Sequence, residues 1–387
     1  MKSLVYVGMD VHKESYSLCA YLPQQGEFVG ETKIDAKPSL IKEYLESIKK
    51  MLIKERGFED IEFIAGYEAG CLGFSLYKEL AKCGIECKVI APTTLSKTAD
   101  SNLKKNDRKD ARMLARNLFF GTCSYVHVPD DVDLETKEYI RMRMAHKRAL
   151  KRLKQQILSF CLRCGYKFDG KVYWTERHIA FLKNLELKGL LKETMDEYID
   201  SYEKSVEKLN RLEGKIEERS NLTRYKENTD KLSCLKGVTK VGPLTIISEI
   251  SDFSRFGTPN EFCSYLGLVP AEHSSGGTNP QLGITKLGNI TVRTQLVESA
   301  QSIVIGSPGS KSKRIIARQQ GQPIRIISYC DRATERLMRK YHRLLNRGVP
   351  RNKCITAVAR ELACFIWGLM NNRLEERLAG GQITVEA

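Results

Sequence analysis

The segment VYVGMDVHK at residues 5–13 is a short β-branched and aromatic run that leaves a carboxylate, Asp10, at its end. The alternating run at residues 15–22 has the spacing of a second strand in a hairpin. An ionised carboxylate at the end of a buried central strand is costly unless it is paired or holds a metal. The segment therefore predicts a functional site at Asp10. The alternative is that Asp10 only ends the strand and caps a turn.

Strand and helix patterns continue from this segment to about residue 128. Three meandering strands come first and strand–helix–strand units follow, which predicts a mixed sheet with helices on its faces. Sites in such sheets gather at the carboxyl ends of the strands. The predicted strands lie at 4–10, 15–22, 27–34, 61–67 and 85–90, and the predicted helices at 38–56 and 72–83.

Three more acidic residues occupy comparable positions. Glu68 directly follows the apolar strand at 61–67, and a nearby glycine would let a ligand approach the backbone. Asp107 and Asp110 are three residues apart at the start of a helical segment, so both project from one face. Acids in a first helical turn are also ordinary capping residues. Three acidic clusters at strand ends and a helix start nevertheless favour a shared site.

Four carboxylates at one point would repel one another unless cations neutralised them. Hard oxygen ligands of this kind select Mg²⁺ or Mn²⁺, usually as a pair that clamps the attacking and leaving oxygens of a phosphoryl transfer. The sequence therefore predicts metal-dependent cleavage or transfer at a phosphodiester. The predicted ligands are Asp10, Glu68, Asp107 and Asp110.

Composition and charge fit an enzyme that acts on nucleic acid. The 387 residues are 42% hydrophobic and 28% charged, which is typical of a soluble chain of two or three domains. Lys and Arg number 63 against 47 Asp and Glu, and this net charge of +16 favours a polyanionic partner, nucleic acid before a membrane surface. No apolar run is long enough for a membrane span or a signal peptide, so we expect a cytosolic protein.

Long helical patterns occupy residues 130–222. Two apolar stripes predict an antiparallel helical hairpin or coiled coil, which forms either a plain intramolecular pair or a dimer contact. The first helix has a run of basic residues with no acid between 141 and 154, and such a face is a candidate phosphate-binding surface rather than only a solvated one. The predicted nucleic-acid contacts here are Arg141, Arg143, Lys147, Arg148, Lys151 and Arg152.

A third pattern begins near residue 230. The turn from Gly237 to Gly242, with a proline at the start of the next helix, predicts a helix-hairpin-helix whose backbone N–H groups hold a phosphate. An ordinary packing corner would look similar. A polar, glycine-rich loop at 269–278 then carries a serine that could be a nucleophile, although it could also be only a loop. Lys286 and Arg293, which follow the loop, are further predicted nucleic-acid contacts.

Five motifs in this order resemble the DEDD transposases of bacterial insertion sequences, the insertion-sequence one-ten family, which also includes site-specific DNA invertases. The resemblance covers nearly the whole chain. Its carriers are GMDVHK at 8–13, YEAG at 67–70, NDRKDA at 106–111, the turn at 237–242, and SSG at 274–276 leading to ITKLGN at 284–289.

The resemblance implies a RuvC-like, RNase H-type first domain whose acidic tetrad is the set already named. It also implies that a serine placed just before a glycine attacks DNA, which carries over to Ser275, with Ser274 one position away. A noncoding RNA encoded by the element would bridge target and donor DNA, and dimers would pair into tetramers. The chain departs from the family at Cys71 and Asn106, where threonine is common, but neither change removes a predicted ligand.

The resulting prediction is an α/β protein with three parts. A RuvC-like mixed-sheet nuclease domain (1–128) precedes a helical coiled-coil domain (129–225) and a mainly α-helical, serine-containing transposase domain with a helix-hairpin-helix (226–387). The predicted function is a DNA transposase or recombinase that joins strands through a serine. One alternative is a RuvC-type structure-specific endonuclease that hydrolyses DNA with metal-activated water. Another is a nucleic-acid-binding assembly protein with vestigial carboxylates.

Overall fold

The chain forms two compact units, residues 1–129 and 130–387. A computed structural model describes residues 2–70, 72–95, 107–239, 241–271 and 283–374. The boundary between the units lies beside the one predicted after residue 128. The boundary predicted after residue 225 falls inside a helix, Thr223–Ser233, whose Tyr225 is buried in a core shared with the long helices before it. The division into three domains stays a prediction.

The first unit is built on a five-stranded sheet with the order β3-β2-β1-β4-β5. Short turns join the first three strands into an antiparallel meander, whereas β4 pairs parallel with both β1 and β5. The predicted mixed sheet is confirmed, and β1 lies at its centre. The strands are β1 Lys2–Val11, β2 Ser15–Leu22, β3 Glu27–Asp35, β4 Asp60–Glu68 and β5 Cys87–Ile90.

Three α-helices cover the two faces of this sheet: α1 (Pro38–Arg56), α2 (Ser75–Lys82) and α3 (Asp107–Phe120). The odd-numbered residues Val5, Val7 and Met9 of β1 are fully buried in a core with α1 and α2. Successive side chains of a strand point to opposite faces. The even-numbered residues of β1 therefore face α3, and they include Asp10.

The helix α3 lies directly on the backbone of the central strands. Gly8 and Gly66 are register partners on β1 and β4. A Cβ atom on Gly8 would lie 2.0 Å from the carbonyl oxygen of Ala111, and one on Gly66 would lie 2.9 Å from the side chain of Leu118. Glycine in a strand marks such close approaches of another backbone. These two glycines fix where α3 crosses the sheet.

The helix predicted at 72–83 was wrong at its start. α2 begins at Ser75 because the preceding residues form a turn in which Gly73 has φ of 59°, a left-handed conformation that favours glycine. The strand predicted at 85–90 is also shorter and begins at Cys87. Both corrections lie at element ends, where local patterns carry little information.

The regular elements that the structure describes in the second unit are helices, apart from one isolated β-bridge between Pro270 and Ile284. Two long helices, α4 and α6, pack antiparallel, since Arg143 of α4 pairs with Glu213 of α6 while Arg219, further along α6, contacts Val132 near the start of α4. Their apolar residues pack together, and this pair supports the predicted hairpin. The helices are α4 Asp131–Arg163, α5 Glu176–Lys183, α6 Leu190–Ser220, α7 Thr223–Ser233, α8 Val241–Ile250, α9 Pro259–Tyr265, α10 Ile290–Ile303, α11 Lys313–Gln319, α12 Ile324–Asn346 and α13 Arg351–Met370.

The hairpin has two cores. At its far end, Ile157 and Phe160 of α4 pack with Met195 of α6 and with Leu182 of α5, a short helix in the connection. At its base, Ile140 and other residues join the large core of α7–α13. The coiled-coil assignment stays a prediction. Among the helices that the structure describes, none is long and apolar enough to cross a bilayer.

Candidate active site

The crossing of α3 over Gly8 gathers acidic residues at the end of β1. The carboxylates of Asp10 and Asp107 lie beside the imidazole of His12, and one possible ligand atom from each lies within 4.8 Å of the others. The Nε2 atom of His12 is 3.1 Å from Oδ2 of Asp10 and 3.9 Å from Oδ1 of Asp107. All three residues are half-buried, so a ligand can reach them. The sheet and the helix thus assemble a compact group of oxygen and nitrogen donors.

The electrostatics of this group are those of under-neutralised carboxylates. Burial raises the pKa of Asp10, and the neighbouring charges of Asp107 and Asp110 raise it further, while His12 opposes the shift. A hydrogen bond from Lys33, with its Nζ 3.0 Å from Oδ2 of Asp107, lowers the pKa of Asp107. Because the charge of Asp110 raises the pKa of Asp10, Asp110 also lies close to this group.

Glu68, the fourth predicted acid, lies on the same face of the sheet but outside the compact group. Parallel pairing aligns Gly8 with Gly66 and Met9 with Tyr67, which sets Glu68 beside Asp10 at the carboxyl ends of neighbouring strands. Its side chain is exposed, and it is absent from the three residues that converge in the described part of the chain. Its role as a ligand stays a prediction.

The donor set fits a divalent cation. Carboxylate oxygens are the ligands of Mg²⁺ and Mn²⁺, and an imidazole nitrogen is accepted by Mn²⁺ and other transition metals. Asp10 and Asp107 place two negative charges at one point, and the nearby cationic group, Lys33, reaches only Asp107 among the described contacts. A cation bound between the two carboxylates would relieve their repulsion.

Two residues of this site, His12 and Lys33, were not predicted from the sequence. His12 lies within the first motif but was not predicted as a ligand, although it is two residues from Asp10 and alternation along a strand gives both the same direction. Lys33 lies on β3, and the pairing of Asp10 with Ser17 and of Ser17 with Lys33 sets it in the same row across the sheet. Only the strand register could reveal Lys33.

Ser275, the predicted nucleophile, and its neighbour Ser274 lie outside the described residues. The chain on either side of that segment is well anchored. The N–H of Ala271 donates to the carbonyl of Gly283, at 2.9 Å, and the N–H of Thr285 donates to the carbonyl of Val269, also at 2.9 Å. Residues 269–271 and 283–285 therefore form a short antiparallel pair.

A buried carboxylate, Glu249 of α8, ties this anchor to α4. Its side chain is 0% exposed and accepts two hydrogen bonds from Arg141, at 2.8 and 3.1 Å, and one from Asn289, at 2.9 Å. The Nζ atom of Lys137 is 3.6 Å away. Asn289 also caps α10 by accepting from the N–H of Val292. Arg141, a predicted nucleic-acid contact, is thus a partner of Glu249.

The basic residues of α4 fall into two groups. Arg143 pairs with Glu213, and Lys147 pairs with Glu298 at 2.7 Å, so both have acidic partners like Arg141. The second group is exposed and makes no ion pair within the described ranges; its members are Arg148, Lys151 and Arg152. The second group is the better placed for phosphate contacts. The nucleic-acid contacts of both groups stay predictions.

The predicted helix-hairpin-helix turn is closely packed. Gly237 has φ of 82°, and a Cβ there would lie 2.4 Å from the carbonyl oxygen of Ser299, while Gly242 is buried against Gln295. The two glycines therefore have a packing role, and their phosphate contacts stay predictions. Lys240, between them, lies outside the described residues.

The two basic residues predicted after the serine loop differ in their surroundings. The guanidinium of Arg293 donates to the carbonyl of Leu266, at 2.7 Å, and burial lowers its pKa. Lys286 is exposed, with φ of 58°. Lys286 is the more exposed of the two, and both assignments stay predictions.

Comparison with known proteins gives the same picture as the site. The DEDD_Tnp_IS110 family model, described as a transposase, matches residues 7–164, and the model described as "Transposase IS116/IS110/IS902 family" matches residues 229–314. A putative transposase of Sinorhizobium fredii is 32% identical over 94% of this chain and 88% of its own length. The transposase for insertion sequence element IS1533 of Leptospira borgpetersenii is 29% identical over 89% of this chain and 97% of its own length.

The sheet of the first unit, with acidic residues at the carboxyl end of its central strand, is consistent with an RNase H-like DEDD domain. Such domains depend on a divalent metal, which agrees with the donor set of Asp10, His12 and Asp107. The chain belongs to the IS110 family of DEDD transposases, which are enzymes that cut and rejoin DNA.

Proposed function

We propose that this transposase moves DNA strands through a covalent serine intermediate, with Mg²⁺ or Mn²⁺ held by the acidic group of its first unit. The observation that carries the metal part is the convergence of Asp10, His12 and Asp107 beneath α3. Glu68 and Asp110 complete the proposed ligand set, since both lie toward the same end of the sheet. The serine rests on the resemblance of 274–276 to the family motif.

Each residue of the site has its own role in the proposed reaction. Asp10 and Asp107 would hold the cation, and His12 orients the Asp10 carboxylate through their 3.1 Å contact. Lys33 holds Asp107 in place. When bound, a divalent cation supplies charge stabilisation at the phosphate and lowers the pKa of an attacking hydroxyl.

The chemical step conserves bonds. The Ser275 Oγ forms a bond to phosphorus while the bond from phosphorus to a DNA 3′ oxygen breaks, and the serine proton ends on that oxygen as a 3′ hydroxyl. A 3′ hydroxyl of another strand then attacks the phosphoserine, which restores the serine and its proton. The two exchanges leave the number of phosphodiester bonds unchanged, so the reaction needs no ATP.

The basic surfaces supply the nucleic-acid partners of this proposal. Arg148, Lys151 and Arg152 lie on the exposed face of α4 and would contact phosphates, as the net charge of +16 favours. The element DNA, an element-encoded guide RNA, and assembly as dimers that pair into tetramers are the partners that the family resemblance supports. A cytosolic location agrees with them.

Covalent trapping tests the proposal. Protein co-expressed with the element RNA is incubated with labelled element-junction DNA and Mg²⁺, denatured and separated on a gel. A protein-linked DNA band should form, and it should disappear in Asp10→Asn and in Ser275→Ala. Ser264→Ala, which truncates an exposed serine of α9, should leave the band unchanged.

Two outcomes would contradict the covalent step. The first is cleaved DNA without attached protein, at the same rate in Ser275→Ala, which would indicate hydrolysis by activated water. The second is strand transfer that survives Ser274→Ala combined with Ser275→Ala. A chain without any metal-dependent cleavage of DNA would refute the whole proposal.

A further inference from the structure

The end of α3 that lies away from the acidic site carries exposed aromatic side chains. Phe119 is 37% exposed and Phe120 is 54% exposed, and their rings are 4.8 Å apart. Phe119 also contacts the rings of Tyr6 on β1 and Tyr21 on β2, each at 5.5 Å. These four residues are called the aromatic patch below.

Core packing does not account for the position of Phe120, the most exposed ring of the aromatic patch. The inner face of α3 buries Leu114 and Leu118 against Ile90, and this small core is complete without Phe120. A ring that is half in water forfeits much of the stabilisation that full burial of a phenylalanine gives. The exposed ring of Phe120 therefore requires another explanation.

Arginines border the aromatic patch. The guanidinium of Arg116, one turn before Phe120, lies 5.6 Å from the centre of that ring. Arg116 is exposed and has no acidic partner among the described residues. Arg112, one turn earlier again, pairs with Glu31 and lies over the ring of Phe28 at 5.6 Å. Arginines and a phenylalanine therefore follow one another at i, i+4 spacing along this side of α3, and Arg116 brings a positive charge to the ring of Phe120.

The patch and the acidic site share one helix and one strand. α3 begins with Asp107 at the acids and ends at Phe120, and its 14 residues span about 20 Å. On β1, Asp10 belongs to the acidic site and Tyr6 to the aromatic patch, and both residues lie on the same face of the sheet. At about 3.4 Å per stacked nucleotide, this distance corresponds to roughly six nucleotides.

We propose that the aromatic patch and Arg116 bind an unpaired DNA strand close to the acidic site. Bases stack on aromatic rings without regard to sequence, and arginine adds cation–π and phosphate contacts. A base would stack on Phe120 while Arg116 contacts a neighbouring phosphate. This inference rests on the proposed function, because it gives the strand that reacts at Asp10 and Asp107 a path along α3.

Binding of short labelled oligonucleotides tests this assignment. A 12-nucleotide single strand, as DNA and as RNA of equivalent sequence, is titrated with the full-length protein, and a blunt duplex serves as a third arm. Loss of one stacked base weakens binding about fivefold or more, so Phe120→Ala should do so for the single-stranded DNA. A loss confined to the RNA strand would overturn the assignment of the patch to DNA.

Salt dependence separates the two contacts. Each phosphate contact to a single strand contributes about 0.7 to the slope of log affinity against log salt concentration. Arg116→Ala should reduce the slope by about that amount, whereas Phe120→Ala should leave it unchanged. Phe120→Trp should retain binding, and the new indole should lose fluorescence when the strand is added.

Matched controls lie on α1, across the sheet from α3. Ile53→Ala removes another exposed apolar side chain, which is 46% exposed, and Lys50→Ala removes another exposed positive charge. Both should bind single strands as the wild type does, and melting temperatures confirm folding of all variants. The duplex should bind equally to the wild type and to Phe120→Ala, because paired bases are not available for stacking.

The inference is overturned if Phe120→Ala and Arg116→Ala bind both single strands as tightly as the wild type. Unchanged strand binding together with altered sedimentation would assign the patch to a protein contact and overturn it equally. The assay needs no cleavage, so its failure differs from failure of the proposed function. Weakened strand binding in a chain that traps no DNA would retain this inference and refute only the serine chemistry.

Discussion

The acidic group of the first unit and the buried carboxylate Glu249 of the second unit differ in how neighbouring residues compensate their negative charge. Glu249 has no exposed surface, but Arg141, Lys137 and Asn289 surround it with donors. Asp10 is 17% exposed, and burial first and then the neighbouring carboxylates Asp107 and Asp110 raise its pKa, while His12 opposes the shift. Glu249 is fully compensated, whereas Asp10 has His12 on one side and two further carboxylates on the other.

Charge compensation by neighbouring residues separates a carboxylate that stabilises the fold from one that is available to a ligand. A carboxylate with complementary partners stabilises the fold, and removing it leaves its partners unsatisfied. Carboxylates held against their mutual repulsion cost stability, so we expect a fold that retains them to use them on a ligand. The two regions should therefore respond to mutation in opposite ways.

Asp10→Asn should have the largest effect, on activity. Loss of several kcal/mol of charge stabilisation corresponds to a reduction in strand transfer of about a thousandfold or more. The melting temperature in metal-free buffer should not fall, because the substitution removes a repelling charge. Strand-transfer assays and thermal denaturation measure both effects.

Asp35→Asn, which changes an exposed carboxylate at the end of β3, is the matched control and should leave both properties unchanged. A clear drop in the stability of metal-free Asp10→Asn would show that this carboxylate is structural, like Glu249.

Glu249→Ala should have the largest effect on stability. It leaves the donors of Arg141 and Asn289 without their acceptor, and breaking a buried ion pair from one side costs about 3–5 kcal/mol. Since Arg141 is half exposed, we expect a value near the lower end in urea denaturation. Glu298→Ala removes the exposed pair with Lys147 and should cost less than about 1 kcal/mol. Equal costs for the two variants would contradict the comparison.

Gly8→Ala should disturb the site through packing. Its Cβ would lie 2.0 Å from a backbone oxygen of α3, so the helix must move, at a cost of about 1–3 kcal/mol. Displacement of α3 would separate Asp107 from Asp10 and weaken metal binding, which calorimetry can measure. Gly214→Ala, in an exposed turn of α6 with open space around it, should instead stabilise the protein by about 0.5–1 kcal/mol. Unchanged metal binding in Gly8→Ala would show that α3 does not need this contact.

Lys33→Met should have the smallest effect, and that effect should depend on pH. Lys33 lowers the pKa of Asp107 from its usual 3.8, so the pair stabilises the folded chain fully above that pH. The contribution is lost as the pH falls through the lowered pKa of the folded state. The exposed pair is worth less than about 1 kcal/mol.

Urea denaturation at several pH values measures this contribution. The stability difference between wild type and Lys33→Met should be present at pH 7 and should shrink steadily below about pH 4. Lys50→Met, which has no acidic partner among the described contacts, should show no such change. A difference that persists at the lowest pH would assign the effect of Lys33 to something other than Asp107.

Local sequence patterns predicted most of the first unit. The bounds of α1 and β2 match their predictions, because Pro38 sets a helix start, Gly57 ends the helix with φ of 70°, and the apolar alternation of β2 is clear. The predicted positions of Asp10 and Glu68 at the carboxyl ends of neighbouring strands are confirmed, while their roles stay predictions. What local patterns could not supply was the distance between the strands and α3, which depends on the Gly8 and Gly66 contacts.

The missed residues of the site required information from pairing. β2 and β3 shift register between Leu18 and Ala20, and this irregularity decides which residue of β3 lies in the row of Asp10. No pattern in the sequence of β3 marks Lys33 for that place. In the second unit, likewise, the acidic partners of Arg141 and Arg143 come from α8 and α6, far along the chain. A basic run therefore cannot be separated by sequence into structural and exposed positions.

Binding of Mn²⁺ tests the central claim most directly. Calorimetric titration of the metal-free protein should reveal a site in the wild type that is lost in Asp10→Asn and retained in Glu249→Gln. That result would locate the metal at the under-neutralised acids and leave Glu249 as a structural acid. Equal Mn²⁺ affinity in wild type and Asp10→Asn would contradict the account.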